Sequence, residues 1–279
     1  MNMAVRSAEF AIPVADGLQP RAFVPLRHPA RAPFRLQPLK AMKVWAEFKR
    51  DKEQIHLAFS IFNALPWTTL DQAAARFLAT DEGRRIYASE PSLPEILDDH
   101  AALRRMPKGS LAQEYCDFTE REGLSAAGLV AEYDLCRERP RIDDKVEWYL
   151  DRLRDSHDLL HILTGFNRDA LGEQCVLSFV FKQRPSWGHL FIAYAGAVVT
   201  KRCTGTNAPV LGAVREAQLI GRNCPAIVEQ SIRDLLPMHT EDIRRKFGIR
   251  PPRLYNEVHR IWREKGLDPF MVASQCGVV

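Results

Sequence analysis

The chain has 279 residues, 46% hydrophobic and 27% charged, which excludes a fibrous or wholly disordered polymer and allows one sizeable core or two modest ones. Its formal net charge of +4 and calculated pI near 8.8 come with Asp and Glu interspersed among the Arg residues. Such a mildly basic surface suits anionic lipid headgroups, and because no RNA- or DNA-binding module appears in the sequence, no nucleic-acid partner is expected.

Residues 1 to 38 carry Pro13, Pro20, Pro25, Pro29, Pro33 and Pro38 without apolar periodicity, so composition predicts a flexible or extended Pro/Arg-rich arm. The arm has little Ser and no apolar segment of the secretory kind, which favours a bacterial cytoplasmic arm over an organelle address. From Leu39 the chain turns helical, with Val44, Trp45, Phe48, Ile55, Phe59 and Phe62 at helical spacings until Pro66. Thr68 is the expected cap of the next helix, with Asp71 in its first turn and Ala73, Phe77 and Leu78 facing inward. Asp81-Glu82-Gly83 opens a further short helix, and Pro91, Pro94 and Pro107 divide the region into brief pieces.

Ser110 and Gln113 have the spacing of a capping box at the start of a helix through Tyr115, Phe118 and Thr119. Asp144 with Glu147 makes a similar start for a helix in which Leu150, Leu153 and His157 form a stripe leading to His161. After Glu173 the chain is at its most apolar, and Leu190 to Val199 is an unbroken apolar run. That run is too short to cross a bilayer, which needs about 20 apolar residues, and predicts a buried helix. A helix follows from Pro209 to about Gly221, and Thr240-Glu241-Asp242 with Arg244-Arg245-Lys246 marks another that Gly248, Pro251 and Pro252 end. No alternating run supports a strand. Residues 39 to 279 therefore read as an all-α, single multi-helix domain behind the arm. The six cysteines form no C-x-x-C pair, and reduced thiols in a cytosolic compartment are expected.

The stretch from His157 to Glu173 carries the chemistry. On a helix His161 lies about 40° and Asp158 about 100° round from His157, so the three share a face, while an unbroken helix would leave Glu173 about 160° away. Gly165 sits where a left-handed helix end is cheap, and Asn167, Arg168 and Asp169 offer turn and cap chemistry for a second helix that returns Glu173 to that face. Two imidazoles with one or two carboxylates and no thiolate suit zinc or another divalent metal. The bland alternative is a pair of satisfied core histidines, since H-x-x-x-H pairs on helices are not rare. Cys175 would project about 200° from Glu173 and reads as core.

The pattern H-D-x-x-H, eleven residues, E resembles the signature of the ubiquinone (coenzyme Q) biosynthesis family Coq-four. Asp81-Glu82-Gly83-Arg84-Arg85, Met106-Pro107-Lys108-Gly109-Ser110-Leu111, Val146-Glu147-Trp148-Tyr149-Leu150 and Leu171-Gly172-Glu173 are also similar to that family. The resemblance runs from about Leu39 to at least Gly248, with no departure at the four motif positions. It implies a divalent metal, zinc first, on His157, Asp158, His161 and Glu173, with Asp158 or Glu173 as proton acceptor. It implies removal of the carboxylate at carbon one of a polyprenylated 4-hydroxybenzoate-type precursor, with hydroxylation of that carbon in the oxidative version. A polyprenyl tail gains about 0.8 kcal/mol per buried methylene, so an apolar lining is required, for which Phe179, Phe181, Phe191, Ile192 and Tyr194 are candidates beside the alternative that they are plain core. Expected partners are the polyprenylated quinone precursor, other ubiquinone biosynthesis enzymes and a membrane surface held peripherally, with a homo-oligomer open. The corresponding location is cytoplasmic at the inner membrane, or its matrix face in a mitochondrion. A non-catalytic organiser or lipid-presenting component is the second reading. A hydrolase ranks third, because Asp158 replaces the longer Glu of zinc proteases.

Overall fold

The computed structural model describes residues 24–49, 55–135, 137 and 140–272. Regular structure among them is helical, apart from one isolated antiparallel bridge between Ser110 and His239. In chain order the helices are α1 (Pro38–Phe48), α2 (Ile55–Ala64), α3 (Leu70–Ala79), α4 (Asp81–Ser89), α5 (Leu93–Leu97), α6 (His100–Leu103), α7 (Leu111–Glu122) and α8 (Ala126–Leu135). There follow α9 (Lys145–Asp155), α10 (His157–Thr164), α11 (Ala170–Gln183), α12 (Trp187–Thr204), α13 (Val210–Asn223), α14 (Ile232–Leu235), α15 (Thr240–Phe247) and α16 (Arg253–Glu264). The all-α expectation holds.

Helix α11 is apolar nearly all round, and such a helix belongs in an interior. It buries Leu171, Cys175, Val176, Phe179 and Val180 and lies between α12 and α13. The same core takes Leu159, Leu160 and Leu163 from α10, Tyr115 and Phe118 from α7, and Tyr255 and Trp262 from α16. A smaller core joins Leu70 and Phe77 of α3, Ile86 of α4, and Val146, Tyr149 and Leu153 of α9.

Local chemistry sets most helix ends. The hydroxyl of Thr80 accepts from the Gly83 amide at 2.9 Å, and Asp144 accepts from the Glu147 amide at 2.8 Å. Ser110 accepts from the Gln113 amide at 3.4 Å, but the Gln113 side chain does not reciprocate, because it donates to the carbonyls of Arg104 and Met106. The cap expected at Thr68 falls at Thr69, whose hydroxyl takes the Trp67 indole N–H instead of a helix amide. The helix expected to run from Asp144 to His161 breaks at Ser156 into α9 and α10.

Two further expectations change. Helix α12 buries Ile192, Ala193, Ala197 and Thr200, while Trp187, Leu190, Phe191, Tyr194 and Val198, one stripe at helical spacing, stay partly or largely exposed. The apolar run is thus a half-buried helix, and among the described residues no helix is long and apolar enough to cross a membrane. Residues 24–37, assigned by composition to the arm, lie on the body. The Lys145 and Val146 amides donate to the carbonyls of Pro25 and Leu26 at 3.0 and 3.1 Å. The buried guanidinium of Arg31 bonds both oxygens of Asp144 at 2.6 and 2.7 Å and Glu147 at 2.7 Å. Residues 1–23 lie outside the described residues. Cys116, Cys175 and Cys224 are free and buried, whereas Cys203 is disulfide-bonded, against the expectation of reduced thiols.

Candidate metal centre

The helix that leads into the motif is fixed before the motif begins. Arg152, on α9, is buried against Glu90 at 2.6 Å and donates to the Val228 carbonyl at 2.7 Å. Glu90 also accepts from the Ser231 hydroxyl and from the amides of Ile232 and Arg233, so one buried carboxylate ties the end of α4 to the start of α14. With α9 held, the break at Ser156 starts α10 at His157. At the other end the chain leaves α10 through Gly165 at φ 75°, a left-handed conformation that costs glycine little. The α10 carbonyls of Ile162 and Leu163 are capped by Arg244 of α15 at 2.6 and 3.0 Å.

The return to α11 is equally constrained. Asp169 caps α11, accepting from the Leu171 and Gly172 amides at 3.1 and 3.2 Å. Its carboxylate also takes the Tyr255 hydroxyl and lies 3.2 Å from His259 Nε2, both on α16. The Asn167 amide donates to the same Tyr255 oxygen at 3.1 Å. Gly172 permits the tight approach, because a Cβ there would stand 1.8 Å from the Asn167 carbonyl oxygen.

These restraints bring the motif together. His157 Nε2 and His161 Nε2 are 3.2 Å apart. Glu173 places one oxygen 3.4 Å from His157 Nε2 and the other 3.5 Å from His161 Nε2. A carboxylate oxygen of Asp158 and one nitrogen of each imidazole lie within 4.8 Å of one another. Glu173 thus meets the two imidazoles, and Asp158 stands beside the same pair. The His161 side chain is fully enclosed, with Phe118 of α7 stacked at 5.8 Å, whereas those of His157 and Glu173 are 26% and 35% exposed, so the site opens on their side.

His161 Nδ1 lies 3.0 Å from the Phe166 carbonyl, which can only accept, so Nδ1 carries the proton and the neutral ring presents a lone pair at Nε2. Burial would lower the pKa of His161, yet the charge and hydrogen bond of Glu173, with the Phe166 carbonyl and Asp158, raise it above 6.5. For Glu173 burial acts upward and is overcome by His161 and His157, which hold its carboxyl well below the usual carboxylate range. The cluster thus favours positive charge between the imidazoles. The donor set fits a divalent cation: imidazole lone pairs, two carboxylates, no thiolate, and one imidazole oriented by a backbone carbonyl.

The five lining candidates do not form one wall. Phe179 and Ile192 are buried in the main core. Phe181 packs on Trp187, Phe191 on Trp45, and Tyr194 lies half-buried on the α12 stripe. None of the five lines the cleft of about 340 Å³ between α5, α8 and α9. Sequence reasoning missed Arg244, Tyr255 and His259 as supports of the site. Arg244 was legible only as a base completing the dipole of its own helix, and α16 went unread although Tyr255, Val258 and Trp262 recur at helical spacing.

Residues 48–253 match the family model described as Coenzyme Q (ubiquinone) biosynthesis protein Coq4. A mitochondrial ubiquinone biosynthesis protein COQ4 homolog 2 of Culex quinquefasciatus is 32% identical over 108 residues, 38% of this chain and 45% of that protein. A mitochondrial ubiquinone biosynthesis protein coq4 of Aspergillus fumigatus is 24% identical over 191 residues, 67% of this chain and 63% of that protein. Both alignments span less than two thirds of the relative's length. The crystal structure of a Nostoc punctiforme protein superposes with a TM-score of 0.55 at 15% identity, over 77% of this chain and 99% of that one, which extends the likeness to the fold.

Proposed function

Because the chain belongs to the coenzyme Q (ubiquinone) biosynthesis protein Coq4 family, we propose that it catalyses a metal-dependent decarboxylation in ubiquinone biosynthesis, at carbon one of a polyprenylated 4-hydroxybenzoate-type precursor, with oxygen as the oxidant where that carbon is also hydroxylated. The observation that carries this reading is the convergence of His157, His161 and Glu173 within 3.2 to 3.5 Å beside Asp158, at a site open on one side. A divalent metal, zinc first, would supply Lewis-acid stabilisation of negative charge on the substrate carboxylate or phenolate. His157, His161, Asp158 and Glu173 would hold it, and the Phe166 carbonyl keeps His161 in the required tautomer. Whichever of Asp158 and Glu173 is released from the metal would serve as the proton acceptor. Phe118 closes the inner side of the site against water.

The outward stripe of α12 supports a lipid-tailed substrate and a peripheral membrane contact. Trp187 is largely exposed there, and on α1 so are Leu39 and Met42, beside the Trp45–Phe191 ring contact. The relatives named above are mitochondrial proteins, so the location that follows is the inner-membrane surface, the matrix face in mitochondria and the cytoplasmic face in a bacterium. Other ubiquinone biosynthesis enzymes are the expected neighbours.

The test uses purified protein carrying about one divalent metal per chain by elemental analysis, oxygen, and a short-tailed precursor labelled in its carboxylate. Wild type should release labelled carbon dioxide. Asp158→Asn should fold, keep at least part of its metal and release none, because a coordinating oxygen remains while the charge is lost. If wild type releases none with any metal, and Asp158→Asn fails to support quinone synthesis in cells only when it also fails to fold, the organiser reading replaces this one.

A further inference from the structure

Arg168 is placed unlike three other arginines that are buried or nearly so. Arg31, Arg137 and Arg152 are each engaged by a carboxylate at 2.6 or 2.7 Å. Arg168 stands in the turn between Gly165 and Asp169, with Nε 3.8 Å from Glu173 Oε1 and Nη1 3.9 Å from Glu122 Oε2. Both distances exceed hydrogen-bond range, and among the described residues its guanidinium makes no hydrogen bond. Two carboxylates therefore hold it in position by charge while its N–H donors stay available. Its side chain is 32% exposed, on the side where Glu173 and His157 open the site to solvent.

A guanidinium with a free donor fork matches a carboxylate in shape as well as charge. We propose that Arg168 is the specificity-determining residue that reads the substrate carboxylate at the mouth of the site, and so separates the carboxylated precursor from its decarboxylated product. The proposal rests on the decarboxylation reading and adds to it the group that selects substrate and lets product leave. Once carbon dioxide is lost, the ring no longer carries the anion that Arg168 binds.

The test measures calorimetric affinity of the full metal-loaded chain for two probes, 4-hydroxybenzoate bearing a geranyl chain on the ring and the matching geranylphenol without the carboxylate. Wild type should prefer the carboxylated probe by about 10- to 100-fold, the range of charge-assisted hydrogen bonds. Arg168→Gln should abolish that preference while keeping metal content and affinity for the phenol, and Arg168→Lys should restore part of it as a point charge without the fork. A preference undiminished in Arg168→Gln overturns the proposal and leaves the decarboxylation reading standing. Equal weakening of both probes, or loss of metal, would show that Arg168 only positions Glu173, which also overturns it. Equal binding of the two probes by wild type overturns it together with the reading on which it rests.

Discussion

Replacing Arg31 with Met tests whether residues 24–37 belong to the folded body, since Met keeps much of the side-chain bulk and removes the charge. Arg31 is buried and bonds Asp144 twice and Glu147 once, at 2.6 to 2.7 Å, with both carboxylates nearly inaccessible to solvent. Breaking a buried ion pair by removing one partner costs about 3–5 kcal/mol. Here the loss should sit near or just below that range, about 2–3 kcal/mol, because some partners remain. Asp144 keeps the amides of His28 and Glu147, and Glu147 keeps Arg137 at 2.7 Å. For a chain of this size that corresponds to a fall in thermal midpoint of about 5–10 °C. Burial pushes the Asp144 carboxyl up, but Arg31 and the two amides more than offset it, and its pKa lies below the usual 3.8. A depressed acid contributes stability that is complete above its unfolded pKa and is lost as pH falls through the folded value. The gap between wild type and Arg31→Met should therefore be constant from pH 5 to 7 and shrink as pH falls below about 4. Melting curves by circular dichroism decide it. A shift under 2 °C at pH 7 would show that the arm contact contributes nothing, and a gap undiminished at low pH would show that the charge pair is not its source.

Gly172→Ala should cost about 1–3 kcal/mol and lower metal content, because its Cβ would displace the Asn167 carbonyl and with it Glu173; full metal at an unchanged midpoint would contradict this. Tyr255→Phe deprives Asp169 of a donor and the Asn167 amide of its acceptor, and should cost about 1–3 kcal/mol by urea unfolding; a neutral result would mean that the return turn is held elsewhere. In metal-free protein the raised pKa of His161 gives stability that is present below pH 6.5 and lost as pH rises through the raised value. Metal-free wild type should thus melt higher at pH 6 than at pH 8.5, a difference that His161→Ala removes, and identical pH profiles for the two proteins would contradict the pairing with Glu173.

The fold was legible where one short stretch of chain carries the whole signal. Thr80 before Asp81, Asp144 before Glu147, and Gly165 after His161 are local devices, and each sets a helix end in the structure. It was not legible where a distant residue decides. Gln113 has the spacing of a capping-box partner, but the carbonyls of Arg104 and Met106 claim its amide. Arg31 sits in a Pro-rich segment whose composition argues against order, and the acids that bury it come 113 and 116 positions later. Nor does an apolar run reveal that only one of its faces is covered, as on α12.

The candidate site divides in the same way. Helical spacing brings His157, Asp158 and His161 to one face, and Gly165 with Asp169 supplies the return of Glu173, all within 17 consecutive residues. What holds that arrangement comes from Arg244, Tyr255 and His259, between 81 and 90 positions away from the groups they bond. None of the three carries a signal in the motif itself. A chain with the four motif residues but without these supports would keep the His157–His161 pair, which one helix fixes, and lose the placement of Glu173, which the return turn fixes. Since the Glu173 oxygens lie 3.4 and 3.5 Å from the two imidazoles, a slackened turn would remove the carboxylate that raises the pKa of His161 and faces Arg168. The motif therefore names the candidate ligands, and the last two helices decide whether they stand as one site.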